Sequence, residues 1–136
     1  MTFHVVQFEA LSRDAERWLD DRCDVRRLAP DADDLGDALR EADALLVRTY
    51  TRVTEDLLES APRLRVVGRA GAGLDNIDVA ACRERGIEVV YRPDANTQAV
   101  VEYVVCLLCD ALRPRTTLNG PVDAQTWHRL RADVVA

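Results

Sequence analysis

Five short runs rich in β-branched or apolar residues alternate with stretches of helical period along most of this chain. That alternation limits the fold more than any other feature. The runs read as strands: Phe3 to Phe8, Asp24 to Leu28, Ala42 to Val47, the pair Val66-Val67, and Ile87 to Val90. Between them, Ser12 opens a helix in which Leu11, Ala15, Trp18 and Leu19 recur near helical spacing. Asp31 to Glu41 reads as a second helix, with Leu35, Ala38 and Leu39 inward. Thr54 is placed to cap a third helix, with Glu55 and Asp56 in the first turn, where the helix dipole favours acids. A fourth runs from about Val79 to Arg85, capped by Asp75 or Asn76 and stopped at Gly86 by a left-handed residue. Apolar strands joined through helices predict a parallel α/β sheet covered on both faces. The expected strand order is 2-1-3-4-5, flavodoxin-like, with ligands at the carboxyl ends of the strands near the switch point.

The 136 residues fit one domain, or one domain with a tail, and 48% of them are apolar, enough for a real core. A net charge of −6 argues against nucleic acid or an anionic membrane as partner. No apolar run approaches the length of a membrane span. The start, Met1-Thr2-Phe3-His4, has no basic region and no cleavage-like site, so no leader is expected. Cys106 and Cys109 have C-x-x-C spacing, but they stand in an apolar helix without a second Cys/His pair, so they read as small hydrophobes and no metal is expected. Reduced thiols of this kind point to the cytoplasm.

Asn96 to Arg113 differs from the other helices. Ala99, Val100, Val101, Val104, Val105, Leu107, Leu108, Ala111 and Leu112 go nearly all the way round it. A helix apolar on every side is expected to be enclosed on every side. One face fits this sheet and the other calls for a partner, so a dimer or larger homo-oligomer through helix 97–113 is expected. The organisation expected is therefore a substrate domain over 1–95, a long apolar interdomain or dimerisation helix over 96–113, and a polar tail over 114–136. Asp123 is placed to cap a short helix in that tail.

Two loops carry the candidate chemistry. Gly68, Gly71 and Gly73 have the spacing G-x-x-G-x-G, not the G-x-G-x-x-G of a dinucleotide loop, and they follow the fourth strand instead of the first. An anion loop fits better, with the backbone N–H groups of Ala70 and Gly71 facing a carboxylate; a tight turn needed for packing is the alternative. Arg48 and Arg69 each end a strand on the same rim, and guanidinium groups hold carboxylate or phosphate in a two-pronged way.

The segment Val67-Gly68-Arg69-Ala70-Gly71, Gly73, Asp75-Asn76-Ile77-Asp78, Arg85-Gly86-Ile87, Pro93, Asn96-Thr97 and Glu102, with Leu46-Val47-Arg48, Thr51 and Val53-Thr54 upstream, resembles the D-isomer-specific 2-hydroxyacid dehydrogenases, most closely their D-3-phosphoglycerate branch. The resemblance covers about residues 43 to 127. It implies the same fold and a substrate-binding role for Arg48, Thr49, Arg69, Ala70 and Gly71. It implies that Asn96 and Thr97 approach the nicotinamide of NAD, although Thr97 as a simple helix cap explains the residue equally well. Tyr91-Arg92 and Asp94 depart from the family's usual small residues and glycine there.

The resemblance places the nucleotide fold and the catalytic arginine, glutamate and histidine beyond the segment in hand. His4 and His128 match no motif, so no catalytic residue is assigned. The expected function is the substrate-binding segment of an NAD-dependent D-2-hydroxyacid dehydrogenase, with no cofactor bound by the segment alone and no hydride transfer by it. A small 2-hydroxy or 2-keto acid is the expected ligand. The alternative is a stand-alone module that binds a small acid or associates with itself, without enzyme activity.

Overall fold

The computed structural model describes residues 2–113 and 118–135. The elements in order are β1 (Phe3–Gln7), α1 (Arg13–Asp20), β2 (Cys23–Arg27), α2 (Leu35–Glu41), β3 (Ala44–Val47), α3 (Glu55–Glu59), β4 (Val66–Arg69), α4 (Val79–Glu84), β5 (Glu88–Tyr91), α5 (Thr97–Leu112) and α6 (Ala124–Val135). By Cα proximity the chain divides into Met1–Ala95 and Asn96–Ala136.

The first unit is the expected α/β sheet. Its five strands are parallel and ordered β2-β1-β3-β4-β5. Strand alternation sends Val6, Leu45, Val47 and Val67 to one face, where Ala38 and Leu39 of α2, Leu58 of α3, and Ala81 and Cys82 of α4 close the core. Leu45, Leu58 and Val67 are fully buried; each such side chain contributes about 1.5–3 kcal/mol of transfer free energy. The other face receives α1, whose Glu16 Oε1 accepts a 3.0 Å hydrogen bond from Gln7 Nε2. On that face, toward the amino ends of the strands, Phe3, Val5, Leu46 and Val66 line an apolar hollow of about 590 Å³.

The local signals act as expected at several ends. Ser12 Oγ accepts from Ala15 N–H at 3.3 Å and Thr54 Oγ1 from Leu57 N–H at 3.5 Å. Gly86 has φ +69°, the left-handed conformation that ends α4. Other ends differ. The cap of α4 is Asp78, whose Oδ1 accepts from Ala81 N–H at 2.9 Å, and not Asp75 or Asn76. The second helix begins at Leu35, not Asp31, since residues 30–34 are taken up by turns. Thr97 is the first residue of α5 rather than its cap, and Asn96 precedes it without a side-chain capping bond.

In the second unit, α5 has 16 residues and none of them is buried. Val100, Val104, Leu107 and Leu108 are 47–58% exposed, and Cys106 and Cys109 are exposed as well. The expectation of a long, enclosed apolar helix, with its cysteines as core hydrophobes, is therefore corrected: among the described residues no α5 side chain is buried, although its composition calls for a cover. Among the described residues no helix is long and apolar enough to cross a membrane. Asp123 does precede α6, its Oδ1 accepting from Thr126 N–H at 2.7 Å. The start of the expected polar tail, residues 114–117, lies outside the described residues.

Candidate functional site: an arginine-bearing rim

Register sets the rim. Val47 pairs with Arg69, and Arg69 pairs with Tyr91, so the loops after β3, β4 and β5 leave the sheet side by side. Arg48 and Arg69 are thereby brought to one edge, as the sequence predicts. Arg92 joins them, a third rim cation that sequence reading took only as a departure from pattern. Its backbone N–H donates to Gly71 O at 3.2 Å, and its Nε lies 3.3 Å from Asp94 Oδ1. Among the described residues neither Arg48 nor Arg69 forms an ion pair.

The loop after β3 is tied from two sides. Its N–H groups converge on the half-buried carboxylate of Glu9, at the end of β1. Oε1 accepts from Arg48 at 3.0 Å and Thr51 at 3.1 Å, Oε2 accepts from Thr49 at 2.8 Å, and Tyr50 reaches both oxygens at 3.3 and 3.2 Å. Its carbonyls turn the other way, to Asn76. The Asn76 Nδ2 donates to Thr51 O at 2.7 Å and to Arg48 O at 3.2 Å, and Asn76 is 8% exposed. Partial burial pushes the Glu9 carboxyl up, but donation from the four amides outweighs it and holds the group at about 2. The Arg48 side chain is fixed by Nη1 donating to Ala10 O at 2.9 Å. The residue is otherwise exposed.

The loop after β4 is arranged differently. Ala70 N–H donates to Val47 O at 2.9 Å, continuing the ladder by one residue, and Gly71 N–H donates back to Arg69 O at 2.9 Å. The expected pair of open backbone amides at Ala70 and Gly71 is thus corrected: the sheet takes one and a tight turn the other. The Thr49 amide is likewise engaged, by Glu9. The Arg69 side chain curls over Gly71, filling the space a Cβ would occupy. Its Nη1 donates to Ala70 O at 3.2 Å, and its Nε is buried with no partner. An orphaned guanidinium N–H is uncommon and marks a place where an acceptor is wanted. Gly68 is needed for a separate reason, because a Cβ there would lie 2.6 Å from Leu46 Cδ2.

Asn96 accepts Val100 N–H on its carbonyl at 3.0 Å, and both Asn96 and Thr97 belong to the second unit and are exposed. His4 stands near the amino end of β1, its Nδ1 3.1 Å from Asp24 Oδ2, and is remote from the rim. A hollow of about 260 Å³ between Thr54 and Asp78 is lined by Asp75 and Asp78 as well as Arg52, a poor setting for an anion. Glu9 and Asn76 are the site residues that sequence reading missed. The motif Asp75-Asn76-Ile77-Asp78 flagged Asn76 as matching, but with a helix cap as its only expected role, and nothing local flagged Glu9.

These residues do not fit a dinucleotide. The glycine loop follows β4, its first amide is spent on the sheet, and the helix after it starts eight residues beyond Gly71, at Val79. The site instead defines a doubly wound α/β unit with cationic strand-end loops, suited to a small anion.

The comparisons agree with that class. The family model of the D-isomer-specific 2-hydroxyacid dehydrogenase catalytic domain matches residues 5–132, and the chain belongs to this family. It is 43% identical over 112 residues to D-3-phosphoglycerate dehydrogenase of Mycobacterium tuberculosis, covering 82% of this chain and 21% of that protein. A solved 2-hydroxyacid dehydrogenase of Ketogulonicigenium vulgare is 31% identical with a TM-score of 0.73, over 95% of this chain and 40% of that one. An NAD-dependent formate dehydrogenase of Staphylococcus aureus, in complex with NAD, is 26% identical with a TM-score of 0.66, over 95% of this chain and 45% of that one. The chain spans about a fifth of the length of the curated relatives it matches.

Proposed function

We propose that this segment holds the anionic end of a small 2-hydroxy or 2-keto acid for an NAD-dependent dehydrogenase of the D-3-phosphoglycerate kind, and that residues 1–136 alone do not transfer hydride. The observation that carries the reading is the pairing of Val47 with Arg69, which sets on one rim two arginines that form no ion pair among the described residues. Arg48, anchored through Glu9 and Ala10, is the fixed cation. Arg69, curled over Gly71 with an unused Nε, is the cation that turns to meet the acid. Thr49, Ala70 and Gly71 shape the rim beside them. Asn96 and Thr97 are proposed to lie near the nicotinamide in the complete enzyme, where NAD supplies the hydride acceptor. A general acid or base must come within about 3 Å of the reacting oxygen, and His4, near the amino end of β1, is remote from this rim. Free thiols at Cys23, Cys82, Cys106 and Cys109 favour a reducing, cytoplasmic setting.

Calorimetric titration with D-3-phosphoglycerate, followed by addition of NAD with absorbance read for NADH, tests both halves. Saturable heat without NADH is expected. Turnover by the segment would overturn the second half, and absence of heat the first.

A second reading concerns assembly. The exposed apolar side chains of α5 favour self-association through residues 97–113. Light scattering at micromolar concentration is expected to return at least twice the monomer mass, and a monomer would refute it.

A further inference from the structure

We propose that the backbone amides of Arg48, Thr49, Tyr50 and Thr51 form a carboxylate receptor whose resident ligand is the chain's own Glu9, so that removing this side chain opens a site for a free monocarboxylate such as formate or acetate. The claim goes beyond the substrate reading and does not depend on the rim binding a hydroxy acid. It rests on geometry. Four consecutive N–H groups, 39 to 42 residues from Glu9, point at one carboxylate within 2.8–3.3 Å. The two oxygens divide the donors, Oε1 taking Arg48 and Thr51, Oε2 taking Thr49, and Tyr50 bridging both. That division matches a flat two-oxygen anion.

The receptor is held open by something other than its ligand. Asn76 holds the Arg48 and Thr51 carbonyls on the opposite side, and because Arg48 O shares a peptide plane with Thr49 N–H, that amide is turned toward Glu9. Val53 N–H donating to Asn76 O at 2.8 Å, and Asp78 N–H to Val53 O at 2.9 Å, continue the brace on that side. The loop therefore keeps its curvature when the carboxylate is gone, and the exposed flank at Arg48, Thr49 and Tyr50 lets a small ion in. The same arrangement gives Glu9 a role toward the rim. It is a positioning residue for Arg48, fixing that residue's backbone while Ala10, next to it, fixes the guanidinium. It also reserves these amides, leaving an incoming acid to the arginine side chains.

The test compares the 136-residue chain with its Glu9→Ala variant by thermal denaturation in formate, acetate and chloride at equal ionic strength. The variant is expected to melt roughly 5–15 °C below the parent in chloride. Formate at ten times its Kd should raise the variant's midpoint by about 6 °C and leave the parent unmoved. Equal midpoints in formate and chloride for the variant would overturn the proposal. If Glu9→Ala does not fold, Glu9→Gln carries the test, because its carboxamide keeps one acceptor oxygen and sets an NH2 against the same amides. Amide exchange at residues 48–51 should then quicken at least tenfold while core amides hold. Unchanged exchange would overturn the proposal. Failure of phosphoglycerate to bind the parent chain would leave both results untouched, so the two readings fail separately.

Discussion

Two neighbouring loops leave this sheet at the same rim, each carrying an arginine, and they are built in opposite ways. The loop after β3 has its amides gathered by Glu9 and its carbonyls gathered by Asn76, so it is braced from residues far away in sequence. The loop after β4 is tied through backbone groups instead: Ala70 N–H donates to Val47 O, Arg92 N–H donates to Gly71 O, and Gly71 N–H turns back to Arg69 O, while the Arg69 side chain lies over Gly71 with its Nε unsatisfied. The difference teaches how a rim can be both set and responsive. Bracing by two distant side chains fixes where one cation stands, and a loop tied only through its backbone leaves the Arg69 side chain with one local hydrogen bond.

The largest break in that contrast is expected from Asn76→Ala. Two carbonyls in a buried setting lose their donors, a loss of about 2–4 kcal/mol in urea denaturation. A change under about 0.5 kcal/mol, the size of an ordinary surface substitution, would show that the brace is not one.

Acid is the next probe. The Glu9 carboxyl is held at about 2 in the folded chain against an ordinary value near 4.5. A depressed folded value means that its contribution is present above pH 4.5 and is lost as pH falls toward 2. The shift corresponds to roughly 3 kcal/mol, reduced to about 1–2 kcal/mol because solvent reaches this half-exposed group. Stability against urea should therefore fall across that window in the parent and more shallowly in Glu9→Gln. Parallel profiles would remove Glu9 from the account.

A control away from both loops sets the scale. Gly86→Ala forces a side chain into φ +69°, where space is open but the backbone is disfavoured, and about 1 kcal/mol is expected from thermal melts. Smallest of all is Arg69→Ala, under about 0.5 kcal/mol in stability, since its bonds are local and exposed. A loss of more than 1 kcal/mol there would mean that the second loop is braced like the first.

Much of the fold is legible in the residues. The strand order follows from apolar runs joined by short helices, and Ser12, Thr54 and Gly86 act where local chemistry places them. The rim arginines are legible for the same reason, since strand ends in a parallel sheet share an edge. What was not legible is non-local. Glu9 carries no local signal, and its role shows only when β1 and β3 are paired and its 39-residue reach to Arg48 closes. Ala70 reads as an open amide until the ladder is seen to extend one residue past β4. Asn76 reads as a helix cap until Thr51 O claims its side chain, which moves the cap to Asp78. For α5, composition states that a cover is needed and says nothing of what provides it.

The central claim is that the two arginines hold a small acid while the Arg48–Thr51 amides stay with Glu9. NMR titration of the labelled chain with D-3-phosphoglycerate reads both at once. The account predicts that the side-chain Nε–H signals of Arg48 and Arg69 move together and saturate, with the backbone amides of residues 48–51 nearly still. Signals that never saturate at either arginine, or large movement of those four amides as Glu9 is displaced, would contradict it.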